Sequence, residues 1–449
     1  MELTLRKSKR LPSNCFQDVD NMRIITDWHI HSKYSRACSQ QLELPIIAKW
    51  CERKGIHIVA SADWTHPKWF VHMQNQLVED GQGIYRLKDA GNPSLSPLGN
   101  GGSPTRFMLV TELSQIYKRG EKTRRVHNLV FSPSLETCEK VNDELKKRGF
   151  NLSSDGRPIL GIDSEDLYDL LKEIDDRIIL IPAHAWTPWY SVFGSKSGFD
   201  SLEECFGKMT PYIYAIETGL SSDPKMNWQL SALDRVVFIS NSDAHSPRNL
   251  GREANVFEME APSYDEFVRI LKEKVRTHFL STIEFFPDEG KYHIDGCAKD
   301  LFSCKPKETK RLGGRCPKCK KLMTLGVLNR VEMLSDRESS SVGKEKIPFA
   351  SIVPLEVIIA DVFGVGTSSK RVAEEYMRLT DQVANEFTLL LETPIETIIS
   401  RASHPLIAEG IRRVRDGKLE IVPGYDGLFG KVSIFSENER KNKVQKILV

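Results

Sequence analysis

Two histidines one residue apart, His29 and His31, begin a series of metal-binding residue types that ends with Asp243-Ala244-His245. Nearly every member falls where a strand-like run stops. The runs are short, apolar and rich in β-branched residues: 23–28 leads into His29, 57–62 into Asp63, 107–111 into Glu112, 177–183 into His184, 212–216 into Glu217 and 236–242 into Asp243. His127 differs, opening the run 127–132. Few folds accommodate such a pattern, because the carboxyl ends of parallel strands are where an α/β barrel gathers its chemistry. Between the runs, 46–54, 135–148, 164–173 and 263–277 have helical periodicity. Ser134 and Ser263 serve as N-caps, and Ser164 precedes an acidic first turn. The alternation predicts an α/β fold with a largely parallel sheet, and the number of strand-end sites favours a barrel over an open sheet.

At 449 residues the chain is long for one domain, and its composition divides it. Residues 22–285 carry the alternation, 293–332 form a Cys-rich module, 335–346 read as a polar linker, and 347–449 as a small helical domain with a Gly-rich tail at 423–427. Residues 1–21, basic at Arg6, Lys7, Lys9 and Arg10, read as an N-terminal arm, with Met1 and Met22 both open as the start. Two stretches interrupt the rhythm: 81–104, rich in Gly, Asn, Pro and Ser, and 185–201, with Trp186, Trp189, Tyr190 and Phe193. Both are expected as loops on the face that carries the metal residues, where loops of this length close over substrate.

No apolar run nears the ~20 residues that span a bilayer, and no signal-type stretch follows the basic start. A cytoplasmic protein without a membrane partner is expected. A net charge of +2 excludes a general basic coat. The basic residues are concentrated instead: eight Lys or Arg against Glu308 in 305–321, and five against Glu121 in 118–125. Such knots are either solvated loops or contacts for a polyanion. Cys15, Cys38, Cys51, Cys138 and Cys205 show no spacing pattern and are expected reduced.

His29-x-His31 sets two imidazoles on the same side of an extended backbone, since side chains alternate with period two. With Asp63, Glu112, His127, His184, Asp243 and His245 they make a mixed N/O set that suits Zn²⁺ or Mn²⁺. Two such ions ~3.5–4 Å apart activate water and hold the leaving oxygen of a phosphate ester. Trp28, Trp64, Trp69, Trp186 and Trp189 fall near these segments, placed either to pack over the barrel mouth or to stack on an unpaired base. The order of the metal motifs resembles the PHP (polymerase and histidinol phosphatase) superfamily over about 22–260. That resemblance implies a distorted (β/α)7 barrel with a two- or three-metal phosphoesterase site. Two departures stand out. Asp63-Trp64-Thr65-His66 replaces the usual Asp-His, leaving His66 an open ligand, and Tyr34, Ser35 and Arg36 occupy a stretch where a further histidine is common.

Cys316-Pro317-Lys318-Cys319 is a knuckle whose two-residue spacer lets both thiolates bind one tetrahedral Zn²⁺. With Cys297 and Cys304 it makes a four-cysteine zinc ribbon, whose metal would supply folding energy that a short basic segment lacks. Farther on, an apolar helix at 355–363, then Gly364-Val365-Gly366, then a helix from about 368 with Lys370 and Arg371 in its first turn, reads as a helix-hairpin-helix that offers backbone N–H groups to a DNA phosphate. An ordinary helix-ending Gly is the plainer reading.

A metal phosphoesterase barrel, a basic zinc ribbon and a helix-hairpin-helix, in that order, resemble the endonuclease Q family over 22 to about 435, including the strings 241–247 and 251–254. The resemblance implies nicking of double-stranded DNA on the 5′ side of deaminated bases (uracil, hypoxanthine, xanthine) and abasic sites. It implies two or three divalent ions (Zn, Mn or Mg) and one structural Zn. It further implies that Asp243, Glu112 and His184 carry the catalysis within the cluster of His29, His31, Asp63, His127 and His245, with Gly364, Gly366, Lys370 and Arg371 expected to contact DNA. Arg36, Arg248 and Arg252 either steady the phosphate or form surface ion pairs. A sliding clamp is a candidate partner, although 443–449 carries no clear clamp motif, and the nucleoid is the implied location. Two other classes stay open: a small-molecule phosphatase of histidinol-phosphate type or a nuclease of short RNA fragments, which needs only the barrel, and a DNA-binding scaffold with a decayed barrel.

Overall fold

The computed structural model describes residues 22–89, 104–339, 345–436 and 439. The N-terminal arm with Cys15, most of the 81–104 stretch and the 443–449 end lie outside the described residues. Strands β1 (Met22–Asp27), β2 (Ile58–Ala60), β3 (Leu77–Glu79), β4 (Ile84–Leu87), β5 (Arg106–Arg119), β6 (Lys122–Ser132), β7 (Ile159–Leu160), β8 (Ile179–Pro182), β9 (Ala215–Glu217), β10 (Val237–Ile239), β11 (Ala254–Met259) and β12 (Phe279–Glu284) form the body of the fold. β1 pairs in parallel with β2, and β2 with β5. β5 pairs antiparallel with β6, and β6 with β8. Ala185 N donates to Glu217 O at 2.9 Å, which brings the segment after β8 beside β9. β9 runs parallel to β10, and a parallel bridge from Ala244 to Ile30 returns to the residues after β1. The strand neighbours therefore run round a circuit with the metal-type residues at one end.

The sheet is mixed rather than largely parallel. β1 pairs antiparallel with β11, and β11 with β12. β5 and β6 form a long hairpin whose two-residue turn, Gly120-Glu121, has Gly120 at φ 60°, the left-handed conformation that tight hairpins need. The basic knot at 118–125 is thus the tip of a β-ribbon and not a loop. Its charges break the apolar alternation that marks a strand in sequence. The helices follow their signals more closely: Leu44–Lys54, Leu135–Lys147, Ser164–Ile174 and Tyr264–Glu273. Ser134 accepts from Thr137 N and Ser263 from Glu266 N as N-caps, and Asp163 caps the helix that Ser164 opens.

Trp28, fully buried, packs edge-on against Phe131 and Phe267 with ring centres 5.6 and 5.3 Å away. Trp64, Trp69 and Trp186 are buried as well, so of the five tryptophans near the metal segments only Trp189 is exposed, at 39%. The first four are core.

Beyond β12, the hairpin β13 (Asp295–Cys297) and β14 (Phe302–Cys304) opens the Cys-rich module. β15 (Phe349–Ser351) pairs in parallel with β12, so the helical domain read from residue 347 begins as part of the main sheet. The linker read at 335–346 is anchored at both ends: Arg337 and Lys346 both bond Asp234. Helices Leu355–Phe363, Lys370–Gln382, Glu386–Leu391, Ile395–Arg401 and Pro405–Arg415 make the C-terminal bundle. It docks on helix Leu44–Lys54 through a buried ion pair, Lys54 Nζ to Glu386 Oε2 at 2.6 Å. After the bundle, β16 (Glu420–Val422) and β17 (Lys431–Ser433) flank a turn that packs back on the Cys-rich module. Ile294 N donates to Gly424 O, and Asp426 accepts from Ala298 N and Thr324 Oγ1, both at 2.6 Å. No helix among the described residues is long and apolar enough to cross a membrane.

Candidate metal centre

His29 and His31 follow β1, Asp63 follows β2, His184 follows β8, and Asp243 and His245 follow β10, as the strand-end pattern requires. Glu112 and His127 reach the same place from mid-strand. In the β5–β6 register Ser114 stands opposite His127. Opposed residues share a face, as do residues two apart, so Glu112, Ser114 and His127 all point inward. His127 Nε2 and Ser114 Oγ lie 3.1 Å apart, and His127 Nδ1 is 2.6 Å from Glu112 Oε1.

Three donor groups overlap: His29, His31 and Glu112; His31, Asp243 and His245; Glu112, His127 and His184. Within each, the donor atoms lie inside 4.8 Å of one another. Glu112 is the hub. Its Oε1 is 3.1 Å from His184 Nε2 and 3.5 Å from His29 Nε2, and its Oε2 is 3.6 Å from His31 Nε2. Asp243 Oδ1 lies 2.9 Å from His31 Nε2. His29 Nε2 and Glu112 Oε2 are buried with no hydrogen-bond partner among the described residues. Orphaned donors of this kind are costly unless a ligand satisfies them, and the N/O set fits divalent cations.

Asp63 stands apart from these groups. Its Oδ2 accepts from Ser32 N, Ser32 Oγ and Ser35 Oγ at 2.8, 2.6 and 2.8 Å, and its Oδ1 is 3.4 Å from His31 Nδ1, the ring nitrogen turned away from Asp243. It orients His31 from behind. His66 stacks on Tyr34, ring centres 4.4 Å apart, and belongs to none of the groups.

The electrostatics follow from packing opposite charges out of water. Burial disfavours the imidazolium of His29, yet Glu217, Glu112 and Asp243 hold its pKa well above the ordinary value. Burial alone raises Glu112, but His127 and His29 beside it hold its carboxyl well below the usual range, and Asp243 is lowered for the same reason by His29 and His31.

The backbone is strained where it delivers these groups. Asp63, His184 and Asp243 have φ of 27°, 29° and 47°, a region that costs a residue with a side chain about 1–3 kcal/mol. Neighbours enforce it. Arg252 Nε donates to Ser242 O and its Nη2 to Asp243 O, at 2.8 and 3.2 Å, and Asp27 accepts from Ser242 N and Gly251 N, both at 3.0 Å. Gly219 touches His184 so closely that a Cβ there would lie 2.6 Å from the His184 Cβ.

Two contributors were absent from the sequence reading of the site. Glu217 is buried and accepts from His29 Nδ1, His184 N and Asn241 Nδ2 at 2.9, 2.7 and 2.8 Å. It ends a strand in the same series, which was its signal. Arg157 had none: its Nη1 lies 3.5 Å from Glu112 Oε2, on a loop whose Gly156 leaves no room for a Cβ beside Asp63 and Ser35. Of the arginines the sequence offered, Arg248 is bound to Glu356 and Arg252 to backbone, while the Arg36 backbone N donates to Asp155.

A family model described as PHP-associated matches residues 235–275, and one described as the MJ0043 C-terminal domain matches 354–418. The uncharacterized protein MJ0043 of Methanocaldococcus jannaschii is 32% identical over 318 residues, a match covering 66% of this chain and 39% of that protein, so the chain spans well under half of that relative's length. Among solved structures the chain is similar to the lesion-specific endonuclease PfuEndoQ from Pyrococcus furiosus, 30% identical with a TM-score of 0.79, covering 95% of this chain and 99% of that one. The chain belongs to the endonuclease Q family. It is also similar to endonuclease Q in complex with a 27-mer duplex substrate with an abasic lesion at the active site, 31% identical with a TM-score of 0.78, covering 93% and 98% of the two chains.

In this member of the endonuclease Q family the cysteine module gathers Cys297, Cys316 and Cys319 with Asp300. Cys297 Sγ and Cys316 Sγ each lie 3.3 Å from Asp300 Oδ2. Cys304, the fourth ligand of the sequence set, is not in that group; its Sγ faces Thr309 Oγ1 at 3.3 Å. In the bundle, Gly364 ends helix Leu355–Phe363 at φ 64°, and a Cβ added at Gly364 or Gly366 would meet nothing within 4 Å. Ser369 caps the next helix, which starts at Lys370; Arg371 lies over the Phe363 ring at 3.8 Å. Arg248 ties this turn to the metal-bearing segment, its Nη2 donating to Thr367 O at 2.7 Å.

Proposed function

We propose that this endonuclease Q family member is a metal-dependent DNA repair endonuclease that cuts the phosphodiester 5′ to deaminated bases or abasic sites. The observation that carries the reading is the overlap of three donor groups on Glu112 and His31 at the strand ends. The duplex with an abasic lesion bound by the related endonuclease Q supports the substrate class. The strand circuit is read as the distorted PHP barrel. His29, His31, Glu112, His127, His184, Asp243 and His245 would hold the ions, two or three in number. Once bound, divalent ions there would activate water and neutralise a phosphate.

The chain's own residues do the positioning. Glu217 accepts from His29 Nδ1 and so directs Nε2 toward the ions, and Asp63 does the same for His31. The strained turns at His184 and Asp243 set the direction in which each side chain leaves the backbone. Arg157, whose Nη1 lies 3.5 Å from Glu112 Oε2, would meet an oxygen of the scissile phosphate in a charge-assisted bond. The Cys module would hold one structural Zn, and the Gly364–Gly366 turn with Lys370 and Arg371 would contact backbone phosphate away from the cut.

The test is a nicking assay on a duplex with one deoxyuridine or deoxyinosine, supplied with Mg²⁺, Mn²⁺ or Zn²⁺, beside an undamaged duplex and Asp243→Ala. A single nick 5′ to the lesion, absent in both controls, is expected. No nick with any metal, together with phosphate release from small esters, overturns the reading.

A further inference from the structure

The β5–β6 ribbon and the 194–200 loop enclose a cleft of about 650 Å³ on the ribbon face opposite His127. Arg119, Lys122, Arg124, Lys196 and Arg330 line it, against Asp200 and Glu204. Much of that charge is already placed. Arg330 bonds Asp200, and Arg119 bonds Asp163. Arg124 bonds Gly198 O and rests on the Phe199 ring at 4.0 Å, so its guanidinium is held in position. Lys122 and Lys196 are exposed and make no side-chain hydrogen bond or ion pair among the described residues. Ser195 lies exposed beside Lys196, and Gly194 and Gly198 line the same wall. Two free ammonium groups around a stacked guanidinium suit a chain of phosphates, and the low apolar content suits no hydrophobic ligand.

We infer that this cleft binds the phosphodiester backbone of the duplex flanking the cut, an inference that rests on the proposed function. Lys122 is five residues from His127 along β6. At ~3.4 Å per residue that is about 17 Å. Phosphates along one strand advance ~3.4 Å each, so the cleft stands roughly five nucleotides from the metal centre. Lys118 and Arg125 share the His127 face of the ribbon, by the β5–β6 register. A strand leaving the centre along the His127 face would meet Arg125 first and would reach the cleft on the other face by passing over the ribbon tip.

The experiment compares wild type with K122E/K196E, measuring Kd for a deoxyuridine duplex over a series of salt concentrations. Lys140→Glu, on helix Leu135–Lys147, is the control for charge reversal away from the cleft. The lesion is placed centrally or close to either end. The slope of log affinity against log salt should shrink by about 0.9 per lost phosphate contact, near 1.8 for the pair, with no change for Lys140→Glu. The wild-type slope should also shrink on the duplex whose shortened flank no longer reaches the cleft, and there the double variant should match wild type. An unchanged slope in the double variant, with wild type binding the duplex, overturns the cleft alone. Wild type that does not bind the duplex overturns the functional reading and the cleft together.

Discussion

Glu217 and His29 are joined through Nδ1 at 2.9 Å, with both side chains out of solvent. The carboxylate accepts from Nδ1 and so turns Nε2 toward Glu112, where an ion would displace the Nε2 proton. A partner behind a metal-binding imidazole typically contributes 10- to 100-fold in affinity. Glu217→Gln, with one acceptor oxygen in place of two, should lower divalent-ion affinity by about that factor while the fold persists. Isothermal titration with Mn²⁺ against the wild type is the measurement, and equal affinities would remove Glu217 from the support of the site.

Cys316 and Cys319 come together with Cys297 and Asp300 around one point. Cys316→Ser with Cys319→Ser should lose one equivalent of zinc by elemental analysis and lower the Tm, because a small module with few buried apolar groups depends on its metal. Full zinc content in the double variant would contradict the assignment.

The pair of Lys54 and Glu386 has only 4% of either side chain exposed. Glu386 also accepts from Tyr376 OH and Leu355 N, at 2.7 and 2.9 Å. Lys54→Met strands that carboxylate in the interface and should destabilise the protein by about 3–5 kcal/mol, read by urea unfolding. A loss under 1 kcal/mol would mean that water reaches the pair.

Glu284 has its pKa pushed up to about 8 by burial, against the hydroxyls of Thr282 and Thr218 that donate to it. The folded protein holds a proton that the unfolded chain releases near its ordinary value of 4.5. The stability linked to this group is therefore complete below about pH 4.5 and falls as pH rises toward 8. Glu284→Gln removes the titration, so its Tm should exceed that of wild type at pH 8 and the gap should close toward pH 5. Parallel Tm curves would show that Glu284 is ionised throughout.

Much of the candidate metal centre was legible before the fold. His29, His31, His184, Asp243 and His245 follow strand ends, and strand ends are visible as apolar runs that stop. Glu112 and His127 were found as residue types but misplaced as strand termini, because the charges of Lys118, Arg119, Lys122, Arg124 and Arg125 hide a ribbon that continues past them. Asp63 carried the right motif but lies outside the three donor groups, since only the placement of Ser32 and Ser35 shows where its oxygens point. Arg157 was invisible because its role depends on a loop meeting the site from far along the chain. Asp300 was passed over because a carboxylate between cysteines looks like any solvated acid.

The turn between β16 and β17 completes the Cys-rich module from the far side of the helical bundle, with Gly296 set so close to the Tyr425 ring that a Cβ would lie 2.3 Å from it. On a ribosome this imposes an order of events. The hairpin of residues 295–304 and the knuckle would emerge before Tyr425 and Asp426, so the module should stay incomplete until the five helices have followed. Any metal held by Cys297, Asp300, Cys316 and Cys319 would be secured only once residues 423–430 arrive, and a nascent chain stalled before them should expose its thiols to alkylation.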